Sequence, residues 1–565
     1  MFGELFEQEA NGFWARLRRL AERTPRLERL YAREADGRVA RLVQSAAFAF
    51  AAVRERLDDD DQALVRPLVA RAMPECLRPR PASTILELPP SKARSGDIRG
   101  THIDATAGDV DLPFELVWSV NPRPLELNDV RLDRLHARLQ VLRLSFVARE
   151  GTTLATVLGE SVRLFVHVDP RRVALDLVHA LRTSNDPIRV TSFGPAGRTG
   201  AEATLPRSAL RWVRIDTDEP PLVSGRADRF RSSTLLRDLF SFPESFCFFD
   251  LHLGAIRDPK VTRIEVTLPL AHVVEEGSGI GREHVRLFCG PATNQFLAPI
   301  TPLRRVDGPV WPLSVGRRPH AEILDVRSIY TEARPSAQRM DILSWESPET
   351  PHTFDRDAMY YLLEQSISRT QPHTTTRLSF ATLDGFFADA PGAFVEGEVL
   401  ASDGTLTAAL GLGDVGGANI TRVTSSQRAL LGSNHAWRLN AYARMPSVRF
   451  AEPVHFAEFV RLHATPGAEV GSEAIRTPRF AWTDHEREHR LDDSGVLHWG
   501  DAFTVGVDTT ACSDGEAWLV GAILARALAE RNERLRFSRL TLQRGSKSFA
   551  AYDTRDGERF PFPLG

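Results

Sequence analysis

VARLVQSAAFAFAAVRERLDDD, residues 39–60, carries the strongest helical pattern of the chain. Its apolar side chains recur in steps of four and three residues, which places them along one face of an α-helix. The positions are Val39, Val43, Ala46, Phe50, Val53 and Leu57. Because a long apolar helical face has to be covered, we predict that these residues form a seam that binds a partner helix, on this chain or on another.

The helical pattern is followed by a proline-rich segment. Residues 74–83 read PECLRPRPAS, in which the prolines cannot continue a helix. Strand-like alternation dominates afterwards, although residues 356–367 look helical and Ser513 with Glu516 forms a capping box that opens a late helix. The sequence therefore predicts an α+β fold, with an N-terminal helical bundle segment followed by β-rich mixed domains.

Length and composition changes divide the chain further. Its 565 residues are enough for several domains. We predict a helical segment at 1–78, a β-rich mixed domain at 79–330, a β-rich middle domain at 331–464 and a C-terminal α/β domain at 465–565.

Charge and cysteine usage exclude several classes of partner. The net charge is −3, which argues against a nucleic-acid or anionic-membrane partner. No run of 18 apolar residues occurs, so we expect no transmembrane helix and no direct membrane insertion. The four cysteines are far apart and show no paired spacing, which is typical of buried thiols in a reducing, cytoplasmic compartment.

The sharpest catalytic-looking motif is His485-Glu486-Arg487-Glu488-His489, an H-E-x-x-H string. On a helix, its two histidines would share a face and could ligate zinc, with the glutamate as general base. Charged residues surround the string on every side, so we predict a solvated loop that holds no metal. A zinc metallopeptidase built on His485 and His489 is kept as the alternative.

The other motifs favour structure over catalysis. Gly411 to Gly416 matches G-x-G-x-x-G, but β-branched residues follow it, so we predict a turn between strands. SFPESFCFFDL, residues 241–251, is predicted to be a buried core strand. We therefore expect no catalytic, cofactor-binding or metal-binding residues, no cofactor, and a protein that is not an enzyme.

These segments, in this order, resemble the TssF (VasA/ImpG-like) family of type VI secretion baseplate subunits. Residues 242–251 are similar to the family's F-P-x-x-F-x-F-F-D-L. Its C-T-P-x-x-N-x-F looks like Cys289, Pro291, Asn294 and Phe296, with Gly290 in place of the threonine. Its P-x-Y-L-x-P-x-P-S exit resembles residues 74–83, with Glu75 and Cys76 in place of the aromatic pair.

The resemblance implies a structural role. A TssF-like chain would be a non-enzymatic subunit of a baseplate wedge that nucleates the contractile tail. Its partners would be a TssG-like subunit, a second TssF copy, TssK, TssE and the spike protein. It would be cytoplasmic and associated with the membrane-docked secretion complex. A baseplate subunit of another contractile injection system, or a binding module of an unrelated system, would be the other non-enzymatic interpretations.

Overall fold

The structure is a computed structural model, and the part of the chain that it describes has many internal gaps. It comprises residues 2–24, 37–90, 97–107, 110–137, 139–149, 152–194, 199–223, 225, 228–254, 260–275, 279–304, 310–316, 318–333, 338–346, 359–367, 374–382, 385–386, 394–427, 433–464, 475–491, 495–533 and 535–557. These residues belong to two compact units. Unit 1 contains residues 1–72 and 430–443, and unit 2 contains residues 73–429 and 444–565.

The helices are α1 (Phe2–Arg23), α2 (Gly37–Ala72), α3 (Leu154–Val157), α4 (Arg171–Thr183), α5 (Arg231–Ser241), α6 (Ser433–Arg444), α7 (Pro453–His463) and α8 (Asp514–Ala529). The strands are β1 (Ser83–Glu87), β2 (His102–Ala107), β3 (Val110–Leu116), β4 (Leu125–His136), β5 (Leu139–Ala148), β6 (Ser161–Val166), β7 (Ile188–Phe193), β8 (Thr199–Leu205), β9 (Leu210–Trp212), β10 (Phe248–His252), β11 (Arg263–Pro269), β12 (Val285–Leu287), β13 (Cys289–Thr293), β14 (Phe296–Pro299), β15 (Leu303–Arg304), β16 (Val310–Pro312), β17 (Glu322–Ala333), β18 (Gln338–Ser344), β19 (Met359–Ile367), β20 (Thr374–Thr382), β21 (Gly385–Phe386), β22 (Phe394–Ser402), β23 (Arg479–Leu491), β24 (Leu497–Asp508), β25 (Arg536–Arg544), β26 (Lys547–Ala551) and β27 (Arg555–Asp556).

Unit 1 is helical and contains α1, α2 and most of α6. Helix α2 ends at Ala72, and Pro74 begins a short 3-10 turn over Pro74–Leu77 in unit 2. The proline therefore lies where the sequence predicts that the helix cannot continue. Within unit 1, the rings of Phe13 and Phe50 pack edge to face at 5.4 Å, and Arg54 Nη1 donates to Glu9 Oε1 at 2.8 Å.

Unit 2 is built on five mainly antiparallel sheets, two of which contain a parallel pair, β18–β19 and β24–β25. Their strand orders are β1-β13-β3-β2, β12-β6-β10-β9, β4-β5-β11-β7-β8, β14-β22-β17-β18-β19-β20-β16 with β15 on β22 and β21 on β20, and β23-β24-β25-β26 with β27 on β25. The parallel pair β24–β25 is joined through α8, whose N-terminus carries the predicted capping box. There Ser513 Oγ accepts from the Glu516 N–H at 3.2 Å, and Glu516 Oε2 accepts from the Ser513 N–H at 2.8 Å. The α+β class is confirmed.

The aromatic segment lies in the core of unit 2, as predicted. Phe248 and Phe249 begin β10, which lies between β6 and β9, and both rings are fully buried. Phe246 belongs to the 3-10 turn Pro243–Phe246 that precedes the strand, and it is buried as well. A strand with neighbours on both sides and apolar residues on both faces suits a fully covered position in the fold.

Two local predictions were wrong. Residues 359–367 of the predicted helix form β19, which pairs with β20 from Met359 to Ile367, and residues 356–358 lie outside the described part. The H-E-x-x-H string lies in β23 and not in a loop. In both cases antiparallel pairing with the next strand along the chain outweighs the local preference of the segment. The domain boundaries at 78, 330 and 464 stay predictions.

Candidate partner interface

All six residues of the predicted seam lie in α2, but they differ in exposure. Val43 is buried and Ala46 is half-buried, whereas Phe50 is 56% and Val53 58% exposed. The side chains of Val39 and Leu57 lie outside the described residues. The described residues thus leave part of the seam uncovered.

The buried side of α2 is a neighbouring stripe of smaller residues. Ala47 and Ala51 are fully buried, and they follow Val43 at intervals of four residues. Because successive helical positions are turned by about 100°, this stripe shares Val43 with the seam and then runs beside it through Ala47 and Ala51. This stripe is not predicted from the sequence, because alanines are small and give only a weak hydrophobic pattern. Helix α2 therefore has a wide apolar face, half of which is covered by its own unit.

The exposed half continues along the helix. Leu42 and Leu64 are each 70% exposed, and both fall on the same side of α2 as Ala46, Phe50 and Val53 at helical spacing. A row of exposed large apolar residues on one helix face is typical of a surface that another helix covers. We call the residues Leu42, Ala46, Phe50, Val53 and Leu64 the open stripe.

A buried ionic cluster fixes the proline-rich segment into unit 2. Arg80 and Arg214 both bind the carboxylate of Asp238, which is completely buried in α5. Burial alone would raise the pKa of Asp238, but the two guanidinium groups outweigh it and hold that pKa below its usual range. Burial lowers the pKa of Arg80 to about 10, so this arginine stays charged at neutral pH. The cluster is thus a charged triad inside the fold.

Glu75, the acidic residue of the same proline-rich segment, has a raised pKa, in contrast to Asp238. Glu75 is buried, and burial raises its pKa from 4.5 to about 7. Its Oε2 accepts from the Arg229 N–H at 3.4 Å, while its Oε1 has no partner among the described residues. Arg78, close in sequence, is paired with Asp228 at 2.8 Å. Glu75 is therefore a poorly satisfied buried carboxyl next to well-paired arginines.

The two histidines of the H-E-x-x-H string cannot hold one metal ion together. They are four positions apart on an extended strand that rises about 3.3 Å per residue, so their α-carbons are about 13 Å apart. Two ligands of one zinc have to lie within about 2.1 Å of it. His485 is half-buried, stacks on Phe503 at 4.9 Å and places Nε2 2.9 Å from Asp501 Oδ1, whereas His489 is exposed.

The carboxylate of Asp501 contacts both His485 and Ser447, but the three residues are not arranged as in a catalytic triad. Ser447 Oγ donates to Asp501 Oδ2 at 3.0 Å and lies 2.6 Å from Asn532 Oδ1. A nucleophilic serine needs a hydrogen bond to a base that can take its proton, with the acid behind that base. Here the serine and the histidine both contact the carboxylate, so the arrangement braces β24 and does not activate Ser447.

The described ranges contain neither a metal-binding cluster nor a membrane-spanning helix. No cluster of three or more histidine, cysteine, aspartate or glutamate side chains there could hold a metal ion. No described helix combines the length and the apolar character that crossing a membrane requires. The four cysteines are free thiols, as predicted, and Cys76, Cys247 and Cys289 are buried.

Comparisons with known proteins identify relatives over nearly the whole chain. The family model described as "Type VI secretion system, TssF" matches residues 8–559. A chain of the type VI secretion system TssK–TssF–TssG baseplate subcomplex, solved by cryo-electron microscopy, is similar in fold with a TM-score of 0.69. The two chains are 16% identical, and the match covers 92% of this chain and 100% of that one.

A second solved relative is a chain of the baseplate complex from the type VI secretion system. Its TM-score is 0.49 at 14% identity, with coverage of 98% of this chain and 100% of that one. No curated protein sequence matches this chain. The family match and the first solved relative agree with the predicted family.

Proposed function

The chain belongs to the TssF family of the type VI secretion system, and on this premise we propose that it is a non-enzymatic structural subunit of the baseplate wedge. The observation that carries the proposal is the family match over residues 8–559. The fold likeness to a chain of the TssK–TssF–TssG baseplate subcomplex supports it. Membership of this family also favours type VI secretion over another contractile injection system.

The partners follow from the same proposal. The related chain is part of a subcomplex with TssK and TssG, so a TssG-like subunit and TssK are the first partners of this chain. TssE, the spike protein and a second TssF copy complete the wedge that we propose. The chain would work in the cytoplasm, as part of the membrane-docked secretion complex.

The open stripe of α2 is the surface that we assign to the TssG-like subunit. From Leu42 to Val53 its residues recur at helical spacing, and Leu64 falls on the same side of α2 further along, so a partner helix can pack along them. The stripe adjoins the buried stripe at Val43, Ala47 and Ala51, so a partner helix would extend an apolar layer that unit 1 has already begun. Together, α1, α2 and the partner helix would form a small bundle.

The zinc metallopeptidase is the weaker alternative. It requires His485 and His489 to converge on one ion, and the extended backbone of β23 keeps them apart. Asp501 already contacts His485, and Arg539 pairs with Glu488 of the same string. These contacts support a role of the string in holding the sheet together.

Co-expression tests the proposed function directly. The full chain is produced with the TssG-like and TssK-like proteins of the same bacterium and analysed by size-exclusion chromatography with light scattering. We expect the three proteins to elute as one complex with a defined mass. Elution of this chain alone, while the other two proteins elute together, would contradict the proposal.

A further inference from the structure

An exposed apolar surface lies at the end of the hairpin formed by β23 and β24. Leu491 pairs with Leu497, and His489 pairs with Trp499. Paired residues share a face of the sheet, as do residues two apart on one strand, so these four side chains lie together. Leu491 is 68%, Leu497 41% and Trp499 56% exposed. We call the residues Leu491, Leu497 and Trp499 the tip patch.

The tip patch continues a face of the sheet that is buried further along β24. Asp501 and Phe503, two and four positions after Trp499, share its face and are buried. The rings of Phe503 and Phe456 of α7 have centroids 6.2 Å apart, and Ser447 Oγ lies 3.0 Å from Asp501 Oδ2. Among the described residues this cover ends before Trp499. A tryptophan that is more than half exposed at the end of a core face is typical of a surface that a further segment covers.

The last described residue, Gly557, lies close to the tip patch. β27 pairs with β25, and the Gly557 N–H donates to the Arg536 carbonyl at 2.6 Å. On the other edge of β25, Arg536 pairs with Trp499. Because neighbouring strands are about 4.8 Å apart, the backbone of Gly557 lies about 10 Å from that of Trp499.

Gly557 is packed against the turn that follows α8. A Cβ atom at this position would lie 2.0 Å from the Glu533 carbonyl oxygen and 2.6 Å from that of Asn532, so glycine is needed for this close approach. Asn532 Oδ1 in turn lies 2.6 Å from Ser447 Oγ, which also contacts Asp501. The chain therefore leaves β27 next to the residues that cover the buried end of the same face.

The segment that follows Gly557 has an apolar, proline-containing sequence. It reads ERFPFPLG at residues 558–565 and lies outside the described residues. Its three large apolar residues alternate with two prolines: Phe560, Pro561, Phe562, Pro563 and Leu564. Proline fixes its own φ and disfavours the helical region for the residue before it, so this sequence favours an extended chain. Extended proline-rich segments bind aromatic surfaces, because they lose little conformational freedom on binding.

The length of the segment and its attachment suit the tip patch. Eight extended residues reach about 25 Å, which exceeds the distance from Gly557 to Trp499. A short covalent link also gives the segment an effective concentration on the order of millimolar at a nearby surface. A contact of modest affinity would therefore be occupied within the chain.

The charges around the tip patch do not favour a charged occupant. Arg487 and Arg536 are exposed and have no ion-pair partner among the described residues. Glu533 is exposed as well, and Asp492 and Asp493 directly follow β23 in the sequence. Because both signs of charge border the patch, its apolar area decides what it binds.

We propose that residues 558–565 fold back and cover the tip patch, with their phenylalanine and proline side chains against Trp499 and the two leucines. The segment would complete the core face of the C-terminal sheet where the cover from residues 447–463 ends. The occupant is thus the C-terminal segment of the same chain. The inference does not depend on the role proposed for the chain in the baseplate.

Photo-crosslinking in the full-length chain tests the contact. The photoreactive amino acid p-benzoylphenylalanine is incorporated in place of Phe562, and the irradiated protein is digested with trypsin and analysed by mass spectrometry. We expect the main crosslink to join position 562 to Leu497 or Trp499 within one chain. A main crosslink to another region, or a product of twice the mass that links two chains, would overturn the proposal.

Limited proteolysis with matched variants gives an independent test. Trypsin can cleave after Arg559, and binding of residues 560–565 to the tip patch should slow this cleavage. We expect Leu491→Asp to speed the loss of these residues at least fivefold, as followed by intact mass. Leu412→Asp is the control, because Leu412 is 61% exposed in a distant segment of the sequence, and its rate should stay within twofold of wild type. Equal rates for wild type and Leu491→Asp would show that the segment does not cover the tip patch.

Discussion

Arg80 binds Asp238 inside unit 2, although the two residues are 158 positions apart in the sequence. Arg80 lies in the proline-rich segment that follows the N-terminal helices, and Asp238 lies in α5. Arg214 binds the second oxygen of the same carboxylate. Because Asp238 is completely buried, its charge is stabilised mainly by these two arginines, with a further hydrogen bond from the Leu222 N–H at 3.4 Å. The link therefore holds the start of unit 2 to its core.

Asp238→Asn should destabilise the chain strongly. The substitution preserves the shape of the side chain but leaves two buried arginines without a counter-charge, which typically costs about 3–5 kcal/mol. Thermal melting followed by circular dichroism measures the effect. Asp129→Asn is the matched control, because Asp129 pairs with Arg131 at 2.8 Å on the surface and should contribute less than about 1 kcal/mol. Equal melting temperatures for the two variants would contradict a structural role of the triad.

Glu75 should make the protein less stable as the pH rises. Its folded-state pKa of about 7 exceeds the ordinary value of 4.5, so the folded chain binds this proton more tightly than the unfolded chain. The contribution is fully present below pH 4.5 and is lost as the pH rises through 7. Glu75→Gln should therefore stabilise the protein at pH 8 by up to about 3 kcal/mol and have little effect at pH 4.5. Denaturant unfolding of both proteins at the two pH values measures this, and an equal difference at both would refute a neutral Glu75.

Val53→Asp should prevent binding of the TssG-like subunit. Val53 is 58% exposed, so the free chain tolerates the carboxylate, whereas a covering helix would bury it at a cost of several kcal/mol. Phe48→Asp is the control, because Phe48 is also 58% exposed but points to another side of α2. Co-purification from cells that express both proteins is the measurement. Binding by the Val53 variant at the wild-type level would remove the open stripe as the interface.

Phe248→Ala should destabilise unit 2 by about 3–5 kcal/mol. The Phe248 ring packs against Phe165 at 4.6 Å and against Trp118 at 5.3 Å, and it is fully buried. Leu297→Ala, on the exposed side of β14, should cost less than about 0.5 kcal/mol. Thermal melting distinguishes the two. A small effect of Phe248→Ala would mean that the aromatic segment is not part of the core.

The H-E-x-x-H string should contribute to stability and not to metal binding. His485→Ala removes a hydrogen bond to the buried Asp501 and should cost about 1–2 kcal/mol, whereas His489→Ala should have little effect. Zinc content measured by mass spectrometry should be the same in wild type and in both variants. About one zinc per chain that is lost in either variant would instead favour the metallopeptidase over the structural role.

Much of the local structure could be read from single segments. Pro74 follows the end of α2, since a proline cannot donate the helical hydrogen bond, and Ser513 with Glu516 caps α8 through groups three residues apart. The aromatic residues of 241–251 are buried because no exposed arrangement suits so many large apolar side chains. Helix ends, helix caps and apolar segments all arise between residues that are close together in the sequence. The α+β class and the family could therefore be predicted from the sequence.

The helical seam of α2 shows what could not be predicted from the sequence. Periodicity identifies an apolar face on α2, but it does not say which side of that face the chain itself covers. The contacts within unit 1 decide this, and they bury Val43, Ala47 and Ala51 while Phe50 and Val53 stay exposed. The open stripe is therefore a property of the folded unit.

What the sequence determined by itself is the set of local conformations, the buried aromatic segment and the family of the chain. Only the tertiary structure placed Asp238 between Arg80 and Arg214, extended the H-E-x-x-H string along β23, and left Phe50 and Val53 of α2 exposed. The physical reason is that helix caps and proline breaks act through backbone groups a few residues apart. Buried ion pairs and strand pairing instead depend on the folded arrangement, and some of them join residues far apart in the sequence, as Arg80 and Asp238 are at 158 positions.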